Sequence, residues 1–432
     1  MIKQTLRQAL TMMKQHKLFT GIYIAGTALS IATAMSIFVI LYIKLGPLYP
    51  EKSRDRMVIT DGVLFSDSAD KEYVYSCRFK LGEAAEIIQN SKYIDKACIR
   101  EYSSGSKKRY IISDDSKVEI KDDPVYTDCN FWKVFNFKFI HGRPFTKDEE
   151  KSAVAVVTET LAEKLYGRKD VVGRDVHIDT ERYTIVGVVE KQGTCITNDI
   201  SSGDIFASIH YRRYFTEEPG AVNNGYCNII MVAESAAKRD SLIKETKETY
   251  GKLWQQNSYG HLSLDDVLIY KYWQKALELK PDNTVWDAIL QYLYALLAFL
   301  FIPALNLSGM ISSRMNSRLD EIGVRKAYGA TNRQIVAQVL WENLLLTAVG
   351  AIIGLAVTYL TVYQCSDWIL TIFDENIKPG TESVTVTFYA LLNPAVIVAV
   401  LLLTILLNIA SALIPTLLAL KKEIVESLYN KR

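Results

Sequence analysis

From Leu18 to Ile43 the chain runs 26 residues without a charged side chain. A bilayer core needs about 20 apolar residues as helix, so this run is long enough to span, and it forces the flanking segments to opposite sides of a membrane. The apolar region of a cleaved signal is shorter, about 7–15 residues, and ends at a small-residue site. Here Lys44, Leu45, Gly46, Pro47 and Leu48 follow instead, which reads as a retained signal anchor. Three further runs have spanning length. Ala288 to Ile311 carries only Gln291 and Asn306 as strongly polar residues, Leu344 to Tyr363 carries none, and Pro394 to Pro415 carries only Asn408. Four such runs in one chain are not the buried helices of a soluble core.

Basic residues beside the spans set the orientation. Lys3, Arg7, Lys14 and Lys17 precede the first span without an acid. Arg314, Arg318, Arg325, Lys326 and Arg333 lie between the second and third, and Lys421, Lys422, Lys431 and Arg432 follow the fourth. The loop from Gln364 to Asn393 has Lys378 alone beside Asp367, Asp374, Glu375 and Glu382. Both termini and the segment after the second span are therefore expected in the cytoplasm, with Lys44 to Asp287 outside. The fold class expected is a membrane protein of four transmembrane α-helices with a large α+β extracytoplasmic domain between the first and second. The expected boundaries are a cytoplasmic segment 1–17, spans at 18–43, 288–311, 344–363 and 394–415, an outer domain 44–287, a cytoplasmic segment 312–343, an outer loop 364–393 and a tail 416–432.

The outer segment carries too much pattern for a loop. Val154 to Thr158 and Tyr183 to Val189 are β-branched runs that read as strands, and Val176 and Ile178 alternate with polar neighbours as a strand does. Thr158 to Tyr166, closed by Gly167, reads as a short helix with a Thr cap and a glycine stop. Glu83 to Asn90 reads as another helix, and the whole as two subdomains. Of the six cysteines, Cys77, Cys98, Cys129, Cys195, Cys227 and Cys365, none has zinc-site spacing. An outer compartment permits disulfides, but five cysteines in one domain leave one over, and no pairing is assigned.

A net charge of +2 gives no reason to expect nucleic acid as a partner. No G-x-x-x-x-G-K-[ST] is present to cradle phosphates, no H-E-x-x-H to hold zinc, and no G-x-S-x-G to present a nucleophile. His16, His141, His177, His210 and His261 form no close pair. No enzyme and no cofactor are expected from these residues.

The informative segment is Ser312 to Asn343. Arg314, Arg318, Glu321 and Arg325 recur at three- and four-residue steps, the spacing of one helix face, with Lys326 adjacent. Tyr328-Gly329-Ala330-Thr331 interrupts the helix at a glycine, and Thr331 is placed to cap the next. A second helix from Gln334, past Arg333, brings Glu342 and Asn343 toward the membrane. Two readings fit this spacing: a basic loop that only fixes topology, or a short cytoplasmic helix that docks in a partner's groove and moves with it.

Glu321-Ile322-Gly323-Val324-Arg325-Lys326-Ala327, Gly329-Ala330 and Gln334-Ile335 resemble the signature of MacB/FtsX-type ABC transporter permeases. Asp128 to Phe145 resembles that family's F…GRxF segment, and Val154 to Leu165, Val172-Gly173 and Tyr183 to Val188 resemble the core of its periplasmic domain. The resemblance covers most of the chain and is weakest over 50–120 and 195–280. It implies location in the bacterial inner membrane and a dimer with a second copy or a paralogue. It also implies a cytoplasmic ABC ATPase below, and transmission of force to the outer domain without passage of substrate through the membrane core. The full MacB exporter carries its ATPase ahead of the first span; with 17 residues there, a separate ATPase polypeptide is expected. The tail 421–428 lacks the proline common in the family. Within the resemblance three functions stay open: export of a drug, peptide or toxin with an adaptor and an outer-membrane channel, extraction of lipoproteins, and FtsX-like regulation of a cell-wall hydrolase. The outer segment's size and its GRxF part favour the first over the third, whereas lipoprotein-extracting relatives also have four spans and a large domain. Tight helix packing is expected of such a transmitter, and Gly26, Ser30 and Ala34 put small residues on one face of the first span.

Overall fold

A computed structural model describes residues 17–66, 74–102, 108–113, 118–191, 200–212, 225–257, 262–277, 279–284, 319–373 and 394–421, with a few positions between 286 and 297. The chain divides into two compact units, Ile43–Thr284 and the remainder, Met1–Tyr42 with Val285–Arg432.

The unit Ile43–Thr284 is built on one sheet, which among the described residues has thirteen strands. Its elements begin with β1 (Met57–Ser66), β2 (Val74–Cys77), α2 (Leu81–Asn90), β3 (Ile94–Glu101), β4 (Arg109–Ser113), β5 (Glu119–Asp122) and β6 (Val125–Thr127). There follow α3 (Phe131–Val134), β7 (Phe139–Gly142), β8 (Val154–Thr158), α4 (Glu159–Tyr166), β9 (Asp175–Ile178), β10 (Glu181–Val189) and β11 (Ile205–Ser208). The unit closes with β12 (Cys227–Ala233), α5 (Arg239–Asn257), β13 (Val267–Lys271) and α6 (Tyr272–Ala276). The number α1 belongs to Lys17–Leu45, which precedes them. The strand order is β13-β1-β12-β3-β6-β11-β8-β10-β9-β4-β5, with β2 on β1 and β7 on β10. Pairing is antiparallel except for β10 with β8 and β11 with β6.

Alternate residues of the central strands enter two different cores. Val58, Ile99, Ala155, Val157, Ile229 and Met231 face one cluster, which includes Ala84 and Ile87 of α2, Leu161 of α4 and Leu242 of α5. Met57, Ile59, Cys98, Val154, Val156, Ile230 and Val232 face the other, with Phe131 and Val134 of α3 and Tyr272 of α6. A sheet covered on both faces needs apolar residues at successive positions, which is why VAVVT is a continuous run and is buried throughout. Thr158 Oγ1 accepts from the Leu161 amide at 3.3 Å and Gly167 closes α4 at φ +68°, the cap and stop that the sequence signals. In the GRxF segment, a Cβ on Gly142 would lie 2.2 Å from the Val186 carbonyl oxygen, so only glycine permits this approach of β7 to β10. Arg143 holds Glu149 through two bonds of 2.7 Å, and Phe145 is buried in the second core, its ring against Trp132.

In the other unit, α1 is followed by α7 (Leu319–Ala327), α8 (Asn332–Phe373) and α9 (Pro394–Lys421). Among the described residues two stretches are long and apolar enough to cross a membrane, Thr20–Leu45 and Asn332–Thr361, and a shorter one covers Val400–Leu413. The span expected at 288–311 lies almost wholly outside the described residues, as do the outer loop from 374 and the tail beyond 421. The 42 residues of α8 amount to roughly 63 Å of helix, about twice a bilayer core of about 30 Å. The helix therefore extends past the expected span 344–363 at both ends, because Gln338, Glu342 and Asn343 are polar without being helix breakers.

Candidate functional site

The coupling segment is a helix, a corner and a longer helix, each specified locally. Helix α7 ends in a Schellman arrangement: the Gly329 amide donates to the Lys326 carbonyl at 2.9 Å and the Ala330 amide to the Arg325 carbonyl at 3.0 Å. Gly329 takes φ +88°, a conformation that L side chains rarely adopt. Two residues on, a capping box starts α8: the Gln334 amide donates to Thr331 Oγ1 at 3.4 Å, and the Thr331 amide to Gln334 Oε1 at 2.9 Å.

Across this corner the two helices are joined by side chains. Arg325 Nη1 donates to Gln338 Oε1, and Gln338 Nε2 donates to Glu342 Oε1 at 3.1 Å. Glu342 is 6% exposed, so Gln338 bridges a half-buried guanidinium to a buried carboxylate one turn further along α8. Sequence reasoning singled out Arg325 and Glu342 but missed the amide between them. Lys326 is half-buried beside Arg325, whereas Gly329 and Arg333 are exposed. Glu321 lies on the α7 backbone; Arg314 and Arg318 lie outside the described residues. Tyr328 is 89% exposed, with Val324 and Trp341 also outward.

One residue past Glu342 is a second polar group, shared by three helices. Thr347 Oγ1 donates to the Asn343 carbonyl at 2.8 Å and accepts from Asn408 Nδ2 of α9 at 2.9 Å. With its single proton committed, that hydroxyl can only accept from Tyr23 of α1, 3.3 Å away. Among the described residues Asn343 Nδ2, on a side chain 5% exposed, has no hydrogen-bond partner. Below an aqueous dielectric such groups hold helices in one register, since leaving them unpaired is costly.

A turn further along, the backbones of α1 and α8 meet. A Cβ on Gly350 would lie 2.0 Å from Thr27 Oγ1, and one on Gly354 would lie 2.7 Å from the Ala28 carbonyl oxygen. These two glycines, four apart on one face, let the helices approach closely. Among the described residues nothing lies within 4 Å of a Cβ on Gly26, while Ser30 and Ala34 are buried. The sequence carries small residues on more than one face of α1, and among the described residues the glycines of α8 meet the face with Thr27, Ala28 and Ile31.

Among the described residues no group of three His, Cys, Asp or Glu side chains is placed to hold a metal. Cys77, Cys98, Cys129 and Cys227 are free thiols, with burial pushing Cys77 up to about 11 and Cys227 up to about 12.

Residues 20–249 match the MacB-like periplasmic core domain and residues 293–424 the FtsX-like permease C-terminal domain. The pyoverdine export ATP-binding/permease protein PvdT of Pseudomonas syringae is 25% identical over 236 residues, covering 53% of this chain and 33% of that protein. The macrolide export ATP-binding/permease protein MacB of Wolinella succinogenes is 26% identical over 235 residues, covering 54% and 34%. The ABC transporter permease YknZ of Bacillus subtilis is 22% identical over 232 residues, covering 53% and 54%. The aligned part thus spans about a third of the two export proteins and about half of YknZ. With the periplasmic core and the permease domain matched in this order along one chain, the protein belongs to the MacB/FtsX-type ABC transporter permeases, which are membrane proteins.

Proposed function

We propose that this chain transmits the movement of a cytoplasmic ABC ATPase to its periplasmic unit, and that the work done there is export of a drug, peptide or toxin from the periplasm. The observation that carries the reading is the Arg325–Gln338–Glu342 bridge. It ties the short helix α7 to the long helix α8, so a push on α7 is not absorbed at the Gly329 corner. Helix α8 then moves as one body and takes α1 with it through Gly350, Gly354 and the Tyr23–Thr347 contact. The names of the export relatives support the export assignment.

In the proposed arrangement four spans cross the bacterial inner membrane, both termini are cytoplasmic, and two chains or a chain and a paralogue form the dimer. Arg314, Arg318, Glu321, Arg325, Lys326 and Arg333 belong to the docking face, and a periplasmic adaptor and an outer-membrane channel complete the path.

Arg325→Glu in the reconstituted permease–ATPase complex tests the reading. A hydrogen bond to a charged group contributes about 1.5–3 kcal/mol, so stimulation of ATP hydrolysis falls roughly tenfold or more. Wild-type stimulation in that variant would defeat the docking and bridging roles.

A further inference from the structure

Two stretches of chain connect the periplasmic unit to membrane helices: residues 43–56 leave α1, and residues 272–287 lead toward the expected second span. Inside the periplasmic unit these stretches are tied to one another by a buried carboxylate. Glu51 is 0% exposed and accepts from Ser201 Oγ at 2.6 Å, Tyr272 Oη at 2.7 Å and Arg54 Nε at 2.9 Å. Arg54, 2% exposed, reaches back with Nη1 to the carbonyls of Ile43 and Gly46, at 2.7 and 2.8 Å. Carbonyls at a helix C-terminus lack partners within the helix and favour a cation, so Arg54 grips the exit of α1. Its guanidinium lies 4.9 Å from the centre of the Tyr272 ring. Neighbouring bonds fix the same stretch. The Asn136 amide donates to the Pro50 carbonyl at 3.0 Å. Tyr49 Oη accepts from the Lys138 amide at 2.9 Å and donates to the Glu190 carbonyl at 3.3 Å.

We propose that Glu51, Arg54 and Tyr272 form a force-carrying joint, which makes the outgoing and returning stretches move together with the sheet when α1 is displaced. The proposal rests on the force-transmission reading above. Fold stability alone is a weak reason for such a cluster, since well-packed apolar residues in place of a buried ion pair are often neutral or stabilising. Directional bonds do something apolar contact does not. They hold the helix exit at fixed points, where greasy surfaces would slide or rotate. The cluster is also economical in position: one carboxylate contacts both connecting stretches, 221 residues apart at Tyr272.

The test uses full-length permease reconstituted with its ATPase. Spin labels at Lys244, on the exposed face of α5, report the distance between the two copies with and without ATP; thermal melting reports folding. Wild type is expected to change distance on ATP binding. Glu51→Leu/Arg54→Met is expected to melt as wild type and to hydrolyse ATP, with the distance change reduced to below about half. Tyr272→Phe, which removes the hydroxyl's bond to Glu51 and keeps the ring beside Arg54, is expected to give a smaller reduction, and it decides alone if the double variant fails to fold. A full wild-type distance change in these variants overturns the joint and leaves force transmission standing. No distance change in wild type overturns force transmission itself, and the joint with it.

Discussion

Gly329 is where the coupling segment is most sharply specified, and its substitution separates backbone from packing. At φ +88° with nothing among the described residues within 4 Å of an added Cβ, the cost that the described residues impose on a new side chain is conformational. For an L residue in the left-handed region that cost is about 1–2 kcal/mol, less for Asn, which tolerates the region, and more for a β-branched residue. A cost of about 1–2 kcal/mol moves the population of the closed corner by a factor of roughly 5–30. Opening it also withdraws Arg325 from Gln338, since the Ala330-to-Arg325 backbone bond closes the same turn. The series Gly329→Asn, Gly329→Ala, Gly329→Val should therefore lose ATPase stimulation in that order, with Asn near wild type. Spin labels at Val324 and Trp341, both outward-facing, should report a single separation for wild type and Asn and a second, broader population for Ala and Val. If Val keeps both the single separation and full stimulation, the corner does not control the position of α7 and the argument from its conformation fails.

Two further outcomes follow from other parts of the molecule. Gly350→Ala should loosen the α1–α8 contact at a cost of about 1–3 kcal/mol, read as a lower midpoint of thermal inactivation. Thr27→Ala should partly restore it, because the clash is with a side-chain oxygen. Gly354→Ala should resist that rescue, because its clash is with the backbone of Ala28. In the periplasmic unit, burial pushes the Asp128 carboxyl up to about 7, and its Oδ1 has no hydrogen-bond partner. Between the ordinary carboxylate range and that value the folded chain holds a proton that the unfolded chain has released. Stability therefore falls as pH rises through this window, by about 1.4 kcal/mol per pH unit. Asp128→Asn should raise the melting temperature at pH 8 and leave it nearly unchanged at pH 4; an equal shift at both would refute the titration.

The features legible in the sequence are those decided within a few residues. The apolar run of α1, the Thr158 cap and Gly167 stop of α4, and the Gly329–Thr331 corner each depend on local spacing, and each stands where its residues indicate. Contacts between distant residues were not legible. Glu51 and Tyr272 meet only because β1 lies beside β13 in the sheet, and nothing near either residue signals the other. The meeting of Gly350 and Gly354 with Thr27 and Ala28 depends on which face of α1 meets α8, and small residues on several faces do not encode that. Gln338 looks like any polar residue near a helix start, and its meaning appears when the corner folds Arg325 back against it.

Hydrogen exchange in the periplasmic unit tests force transmission most directly. With the permease and its ATPase in lipid, a non-hydrolysable ATP analogue bound on the cytoplasmic side should change exchange within Ile43–Thr284. Arg325→Glu should abolish that change while leaving the unit's protection without nucleotide intact. An exchange pattern in Ile43–Thr284 that ignores nucleotide, in a complex that hydrolyses ATP normally, would contradict the account.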